Sequence, residues 1–187
     1  RTDPDKIAAL LPPGITPGAK PNVNLTIYNF PVPDEPEYGI VTSVDANFDG
    51  IAGEFTLGYG IDQESAIFVS QETNGQPKYP CVTEYYRVGP NVRARCTHQG
   101  YTFVEFEGTS TGPSAPGEPF EQNEWWLKYS RAVSVGGPAT GFDFPPHVVR
   151  VRSQYGTAWR EDVEGKLVLR DSPWDPLASL LPMREQL

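Results

Sequence analysis

Lys78 is the residue of this sequence whose setting is best suited to chemistry. In residues 77–80, prolines precede and follow a Lys-Tyr pair and restrict its backbone. The apolar run at residues 66–69 predicts a buried strand, and the Asn-Gly pair at residues 74–75 predicts a tight turn. A rigidly held amine becomes a nucleophile near neutral pH when desolvation or a neighbouring cation lowers its pKa from about 10.4. The alternative is a solvated lysine on a proline-rich turn.

Two residues close to Lys78 in the sequence could move protons for such an amine. Glu72 could act as a proton donor or acceptor if burial raised the pKa of its carboxyl, or it could satisfy loop amides or an ion pair. Tyr79 could serve as a proton relay, or it could pack beside the lysine. The sequence leaves both pairs of alternatives open.

The segment around Lys78 resembles the acetoacetate decarboxylase family. In that family an apolar strand is followed by an Arg-Glu pair, a short turn and Pro-Lys-Lys, and residues 64–72 with residues 75–78 follow the same order. The first lysine of the family's pair, which forms a Schiff base with the substrate, falls on Lys78. Further matches to the family occur in order along nearly the whole chain, at residues 1–3, 50–55, 126–128, 175–177 and 181–182.

Several positions differ from the family pattern. Tyr79 replaces the second lysine, and Gln-Glu at residues 71–72 replaces Arg-Glu. An ungapped alignment places two active-site glutamates of the family on Thr26 and Gly39, and a shift of two residues places the second on Glu37. The predicted site then has two parts: catalytic residues Lys78, Glu72 and Tyr79, and substrate-binding residues Thr26, Glu37 and Gln76.

Short apolar segments between frequent turns predict a mainly β (α+β) fold. Residues 3–11 predict a helix with Asp3 as N-cap, and residues 23–28 alternate like a strand with one buried face. Residues 31–36 predict a loop, and residues 108–117 predict a mobile, turn-rich excursion. Further predicted strands cover residues 40–46, 54–59, 66–70, 81–88, 92–97, 101–107, 124–129, 147–153 and 165–170.

So many short strands imply an antiparallel barrel or sandwich. The resemblance implies a closed, cone-like antiparallel β-barrel with a few peripheral helices. It also implies a single acetoacetate decarboxylase-like domain over residues 1–187, which is enough chain for one core. The family's active-site arginine would precede Arg1, and the sequence ends soon after a predicted helix start, so we expect a chain that lacks N-terminal and C-terminal flanks.

The composition limits the partners. A net charge of −9 disfavours nucleic acid and anionic membranes as partners. The sequence has no apolar run of about eighteen residues and no basic-then-apolar signal peptide, so we expect a cytoplasmic protein. Cys81 and Cys96 are expected to be buried, reduced thiols. His98 and His147 are too scattered for a metal site, and we expect neither a metal nor a cofactor.

Three functions remain open at this point. The resemblance implies a homo-oligomeric lyase in which Lys78 forms a Schiff base with a small β-keto acid or related oxo acid. The same imine could instead serve a Schiff-base aldolase or dehydratase that acts on a 2-oxo acid. The third alternative is a non-catalytic β-barrel that binds a small molecule.

Overall fold

The computed structural model describes residues 1–31, 36–134, 137 and 140–187. Residues 32–35 of the predicted loop at 31–36 lie outside the described residues. The elements follow in the order α1 (Pro4–Leu10), β1 (Ile15–Pro17), β2 (Val23–Phe30), β3 (Glu37–Phe48), β4 (Ile51–Ile61), α2 (Glu64–Asn74), β5 (Lys78–Pro80), β6 (Val82–Val88), β7 (Asn91–His98), β8 (Tyr101–Pro113), β9 (Phe120–Lys128), β10 (His147–Tyr155), β11 (Glu161–Leu169) and α3 (Leu177–Leu180).

A large mixed sheet is built around the antiparallel pair of β3 and β4. Its strands run in the order β1-β3-β4-β9-β10, with β2 also paired to β3 and β5 also paired to β4. β4 pairs in parallel with both β5 and β9. Because a tight turn cannot connect parallel neighbours, the segment between β4 and β5 must cross over, and α2 is this crossover.

The α2 helix shows that the strand predicted at residues 66–70 is wrong. An apolar run this short does not distinguish a strand from a helix by its period. Ile67 is buried, but Phe68 and Val69 are 59% and 62% exposed, so the run is not a buried strand. Gly75, with φ of +68°, ends the helix in the left-handed conformation, and its N–H caps the last turn. The Asn-Gly signal, which predicted a tight turn, therefore marks the end of a helix.

A smaller antiparallel sheet has the strand order β11-β8-β7-β6. β8 continues to Pro113, and its second half pairs with β11. The excursion predicted at residues 108–117 is therefore wrong for residues 108–113. A distant strand supplies the hydrogen bonds that hold this glycine-rich segment extended.

The mainly β character with few helices is confirmed, but the closed barrel is not. In the part of the chain that the structure describes, the strands form two separate sheets. Closure requires the outer strands of a sheet to pair with each other. Within those same residues, β10 pairs only with β9, and β6 pairs only with β7.

The apolar core draws residues from both sheets and from α1 and α3. The predicted helix at residues 3–11 is confirmed as α1, with Asp3 as N-cap and Pro4 in its first turn. Cys81 and Cys96 are free and buried, as expected. The buried cluster comprises Ile7, Ile15, Ile40, Val44, Ala46, Phe55, Cys81, Cys96, Phe103, Val104, Trp125, Leu177 and Leu181. One face of the large sheet covers this core, which leaves its other face for polar side chains.

Candidate active site

Lys78 begins β5, and hydrogen bonds to the carbonyl oxygens of residues 77 and 78 fix its backbone. Tyr59 in β4 is its neighbour in the parallel register, and the Tyr59 N–H donates to the Pro77 carbonyl oxygen at 2.9 Å. On the other side, the side-chain amide of Gln71 in α2 donates to the Lys78 carbonyl oxygen. Lys78 is only 9% exposed. The fold thus holds a buried lysine on a fixed backbone.

Consecutive residues of a strand point to opposite faces of the sheet. Lys78 points to the polar face, whereas Tyr79 packs against the core, with its ring 4.9 Å from the His98 ring. Burial raises the pKa of the Tyr79 phenol. The structure does not bring the Tyr79 hydroxyl to the Lys78 amine, so the packing alternative describes Tyr79 better than the proton relay.

Glu37 is the charged partner of Lys78. The Glu37 Oε2 lies 3.5 Å from the Lys78 Nζ, and the Tyr28 hydroxyl donates to the Glu37 Oε1 at 2.6 Å. The side chains of Lys78 and Glu37 are 10% and 11% exposed. Burial, together with the hydrogen bond and charge of Glu37, raises the pKa of Tyr28. The phenol therefore stays protonated at neutral pH and acts as a donor to the carboxylate.

Gly39 makes room for this arrangement. It is the register partner of Tyr28 across β2 and β3. A Cβ atom at Gly39 would lie 2.7 Å from the Tyr28 Cζ and Oη and 2.8 Å from the Gly60 carbonyl oxygen. Only a glycine lets the Tyr28 ring lie across β3 with its hydroxyl on Glu37.

A second buried carboxylate, Glu124, belongs to β9, which pairs with the same edge of β4 as the β5 strand of Lys78. Its Oε2 accepts hydrogen bonds from the Tyr59 hydroxyl at 2.6 Å, the Trp126 Nε1 at 3.2 Å and the Thr56 hydroxyl at 3.3 Å. Burial and the charge of Glu124 raise the pKa of Tyr59. Because Tyr59 is the strand neighbour of Lys78, this second tyrosine–glutamate pair lies on the same face of the sheet as the lysine.

A further carboxylate extends the polar face away from the lysine. Glu54 is the register partner of Glu124 and accepts a hydrogen bond from the Ser43 hydroxyl. Burial raises the pKa of the Glu54 carboxyl, and the charges of Asp45 and Glu124 add to this effect. Carboxylates and neutral donors therefore dominate this face around Lys78.

Two of the predicted substrate-binding residues lie beside the lysine. Glu37 contacts Lys78 directly. Gln76 is half-buried, and a hydrogen bond from its side chain opposes the rise in the Tyr59 pKa. A cleft of about 440 Å³ between α2 and β5 includes Lys78 in its lining, which is room for a small substrate.

Two other predicted site residues lie away from the lysine. Thr26 is exposed and three strands from Lys78 in the register, a separation of about 14 Å at the usual strand spacing. Glu72 is exposed on α2, and its carbonyl oxygen accepts a hydrogen bond from the Lys128 Nζ at 2.7 Å. The structure does not place either side chain at the Lys78 amine.

The described residues contain no group of three or more His, Cys, Asp and Glu side chains arranged to hold a metal ion. Among the helices of the described ranges, none has both the length and the apolar character needed to cross a membrane.

Comparison with known proteins decides the family. The family model for acetoacetate decarboxylase matches residues 1–187. The chain belongs to the acetoacetate decarboxylase family. A search of curated protein sequences found no significant match.

Solved structures of similar fold include enzymes of this family. An acetoacetate decarboxylase from Legionella pneumophila is 17% identical, with a TM-score of 0.71, over 99% of this chain and 74% of that chain. The enduracididine biosynthesis enzyme MppR complexed with pyruvate is 17% identical, with a TM-score of 0.69, over 99% of this chain and 77% of that chain. An acetoacetate decarboxylase-like enzyme from Sphingomonas wittichii RW1 is 17% identical, with a TM-score of 0.67, over 96% of this chain and 78% of that chain. At these identities the likeness is one of fold.

This member of the acetoacetate decarboxylase family differs from the family pattern beside its lysine. Tyr79 stands where the pattern has a second lysine, and its ring turns into the core. The charged group that contacts Lys78 is instead the Glu37 carboxylate. The lysine of this chain therefore has an anionic neighbour.

Sequence reasoning missed Tyr28, Tyr59 and Glu124. The one available signal for Glu124 was a charged residue in a strand that continues with two tryptophans. The structure places Trp125 in the core, so Glu124 and Trp126 share the opposite face. No local pattern marks Tyr28 or Tyr59, because strands distant in sequence create their contacts.

Proposed function

We propose that this protein is an acetoacetate decarboxylase-like lyase whose Lys78 forms a Schiff base with a β-keto acid or a related oxo acid. The observation that carries the proposal is the buried Lys78–Glu37 pair, at the position where the family pattern has its Schiff-base lysine. A largely dehydrated amine next to a group that can accept its proton is what addition to a carbonyl requires. Family membership and enzymes of the same fold support catalytic activity.

Glu37 is suited to start the reaction. It accepts a proton from the Lys78 ammonium, and the neutral amine adds to the substrate ketone. The carbonyl oxygen takes up one proton from the attacking nitrogen and the proton that Glu37 received, and it leaves as water, which gives a protonated imine. In a β-keto acid, this imine accepts the electron pair of the bond to the carboxylate as CO2 leaves, and an enamine remains. Protonation of the enamine carbon and hydrolysis then release the ketone and regenerate Lys78.

A second candidate function is aldol or dehydration chemistry on a 2-oxo acid. The departure from the family pattern favours it, since Lys78 contacts a carboxylate and the second lysine is replaced by Tyr79. MppR, which has a similar fold, has been crystallised with pyruvate and with the condensation product of pyruvate and imidazole 4-carboxaldehyde. In this reaction class the enamine forms by loss of a C–H proton instead of CO2.

The substrate, the assembly and the location of the protein are part of this proposal. We propose a small oxo acid as the substrate, a homo-oligomer as the assembly and the cytoplasm as the location. Size-exclusion chromatography with light scattering would measure the assembly directly.

Borohydride trapping tests the proposed function. The protein is incubated with acetoacetate, pyruvate or longer 2-oxo acids, reduced with borohydride, and mapped by peptide mass spectrometry. We expect a reduced adduct on Lys78 in the parent and in the control variant Lys20→Ala, whose lysine is exposed. The Lys78→Ala variant should give no adduct, and CO2 release from the same mixtures separates decarboxylation from aldol chemistry. Absence of an adduct with every carbonyl compound would favour the non-catalytic binding protein.

A further inference from the structure

The reaction proposed for Lys78 leaves the buried Tyr59–Glu124 pair without a task. Tyr59 is the strand neighbour of Lys78 on the same face of the sheet, and its hydroxyl donates to the Glu124 Oε2 at 2.6 Å. The Trp126 ring meets the Tyr59 ring edge-on at 6.2 Å, and the Trp126 Nε1 holds the same carboxylate oxygen. The phenol is therefore fixed on the strand next to Lys78, on the sheet face to which the lysine points.

The direction of the hydrogen bond determines what this phenol can do. Because the Tyr59 proton points at Glu124, the phenol oxygen offers a lone pair to other groups. It can take up a proton from a substrate if its own proton moves to Glu124 in the same step. Burial and the Glu124 charge raise the pKa of Tyr59 and disfavour a free phenolate, whereas the Gln76 hydrogen bond favours it. A coupled transfer of both protons avoids the free phenolate.

We propose that Tyr59 and Glu124 form a proton relay that removes a proton from the carbon next to the Lys78 iminium. This inference rests on the function proposed above. The C–H bond breaks, and its electron pair forms the C=C bond of the enamine as the iminium nitrogen becomes neutral. The released proton goes to the Tyr59 oxygen, and the original Tyr59 proton goes to the Glu124 carboxylate. Tyr59 is then a catalytic residue, and Glu124 positions it and receives its proton.

The relay indicates the class of substrate. Decarboxylation forms the enamine by loss of CO2, without a base at the adjacent carbon. A base beside the iminium is needed when the enamine forms from an intact oxo acid. The substrates would therefore be 2-oxo acids with hydrogen on the carbon next to the carbonyl, and the enamine would attack a second carbonyl compound or expel a leaving group.

A purely structural role must be separated from catalysis, because the same hydrogen bond joins β4 to β9. These strands pair only through Glu54 with Glu124 and Phe55 with Trp125 in the described residues. Loss of the Tyr59–Glu124 bond would lower stability under either role. Stability alone therefore does not test the relay, but proton exchange on a bound substrate does.

The test measures exchange of the methyl hydrogens of pyruvate in D2O by NMR, in parallel with borohydride trapping. We expect Tyr59→Phe and Glu124→Gln to keep the Lys78 adduct but to slow exchange about 100-fold. The double variant should be no slower than either single variant, because both residues act in one step. The controls Tyr85→Phe and Glu121→Gln, which alter exposed residues, should exchange like the parent.

The outcomes distinguish the relay from the underlying function. If the parent forms no adduct, the proposed function fails, and the relay fails with it. If the parent forms the adduct without exchange, or if Tyr59→Phe exchanges at the parental rate, the relay alone is refuted. Should the variants not fold, exchange of the two methylene hydrogens of 2-oxobutyrate by the parent tests the relay instead. A single base on one side should exchange one methylene hydrogen at least about tenfold faster than the other, and equal rates would overturn the proposal.

Discussion

Replacement of Glu37 by glutamine should destabilise the protein more than removal of both members of the Lys78–Glu37 pair. The amide keeps an oxygen that accepts the Tyr28 hydroxyl but lacks the negative charge 3.5 Å from the Lys78 ammonium. A buried ammonium without its partner keeps the cost of dehydration and loses the compensating attraction. The double variant Glu37→Gln/Lys78→Met removes both charges.

The separation of the charges sets the magnitude. Two unit charges 3.5 Å apart attract by about 5 kcal/mol at an effective dielectric constant of about 20. Dehydration offsets part of this attraction, and breaking a buried pair typically costs about 3–5 kcal/mol. We therefore expect Glu37→Gln to lower the free energy of unfolding by about 3 kcal/mol. The double variant should lie within about 1 kcal/mol of the parent.

Urea unfolding of the parent, the two single variants and the double variant gives the coupling energy between the two positions. Glu121→Gln, which removes an exposed carboxylate near Arg152, is a matched control and should cost no more than about 1 kcal/mol. A coupling energy below about 0.5 kcal/mol would show that the two charges do not interact. That result would refute the ion pair and, with it, the role of Glu37 as the acceptor of the lysine proton.

Two further substitutions test the surroundings of the site. Gly39→Ala forces a Cβ to within 2.7 Å of the Tyr28 ring and should cost about 2 kcal/mol in urea unfolding. Gly117→Ala meets no neighbouring atom and should be nearly neutral, so equal losses would contradict the packing argument. The folded-state pKa of Glu54 is raised, mainly by burial, so the stability that its protonated form contributes is present at low pH and is lost as pH rises. Glu54→Gln should therefore gain stability relative to the parent as pH rises above the ordinary glutamate pKa of about 4.3, and a difference that is independent of pH would contradict this.

Local patterns determined part of the fold. The Asp3-Pro4 start and the alternation of residues 23–28 predict α1 and β2 from neighbours in sequence, although the Asp3 carboxylate binds Arg184 and makes no capping hydrogen bond. The identity of α2 and the length of β8 depended on more distant parts of the chain. Parallel pairing of β4 with β5 requires a crossover, and pairing with β11 keeps residues 108–113 extended. A short apolar run or a glycine-rich stretch contains no information about such partners.

The sequence by itself identified Lys78 as the candidate nucleophile, because its proline-bounded segment and the family pattern coincide there. Only the tertiary structure decided which groups surround it. Tyr79, its neighbour in sequence, faces the core because adjacent residues of a strand point to opposite faces. Tyr59 and Glu124 are 65 residues apart in sequence, yet the strand register joins them. Register between distant strands determines which side chains share a face, and no local sequence pattern encodes it.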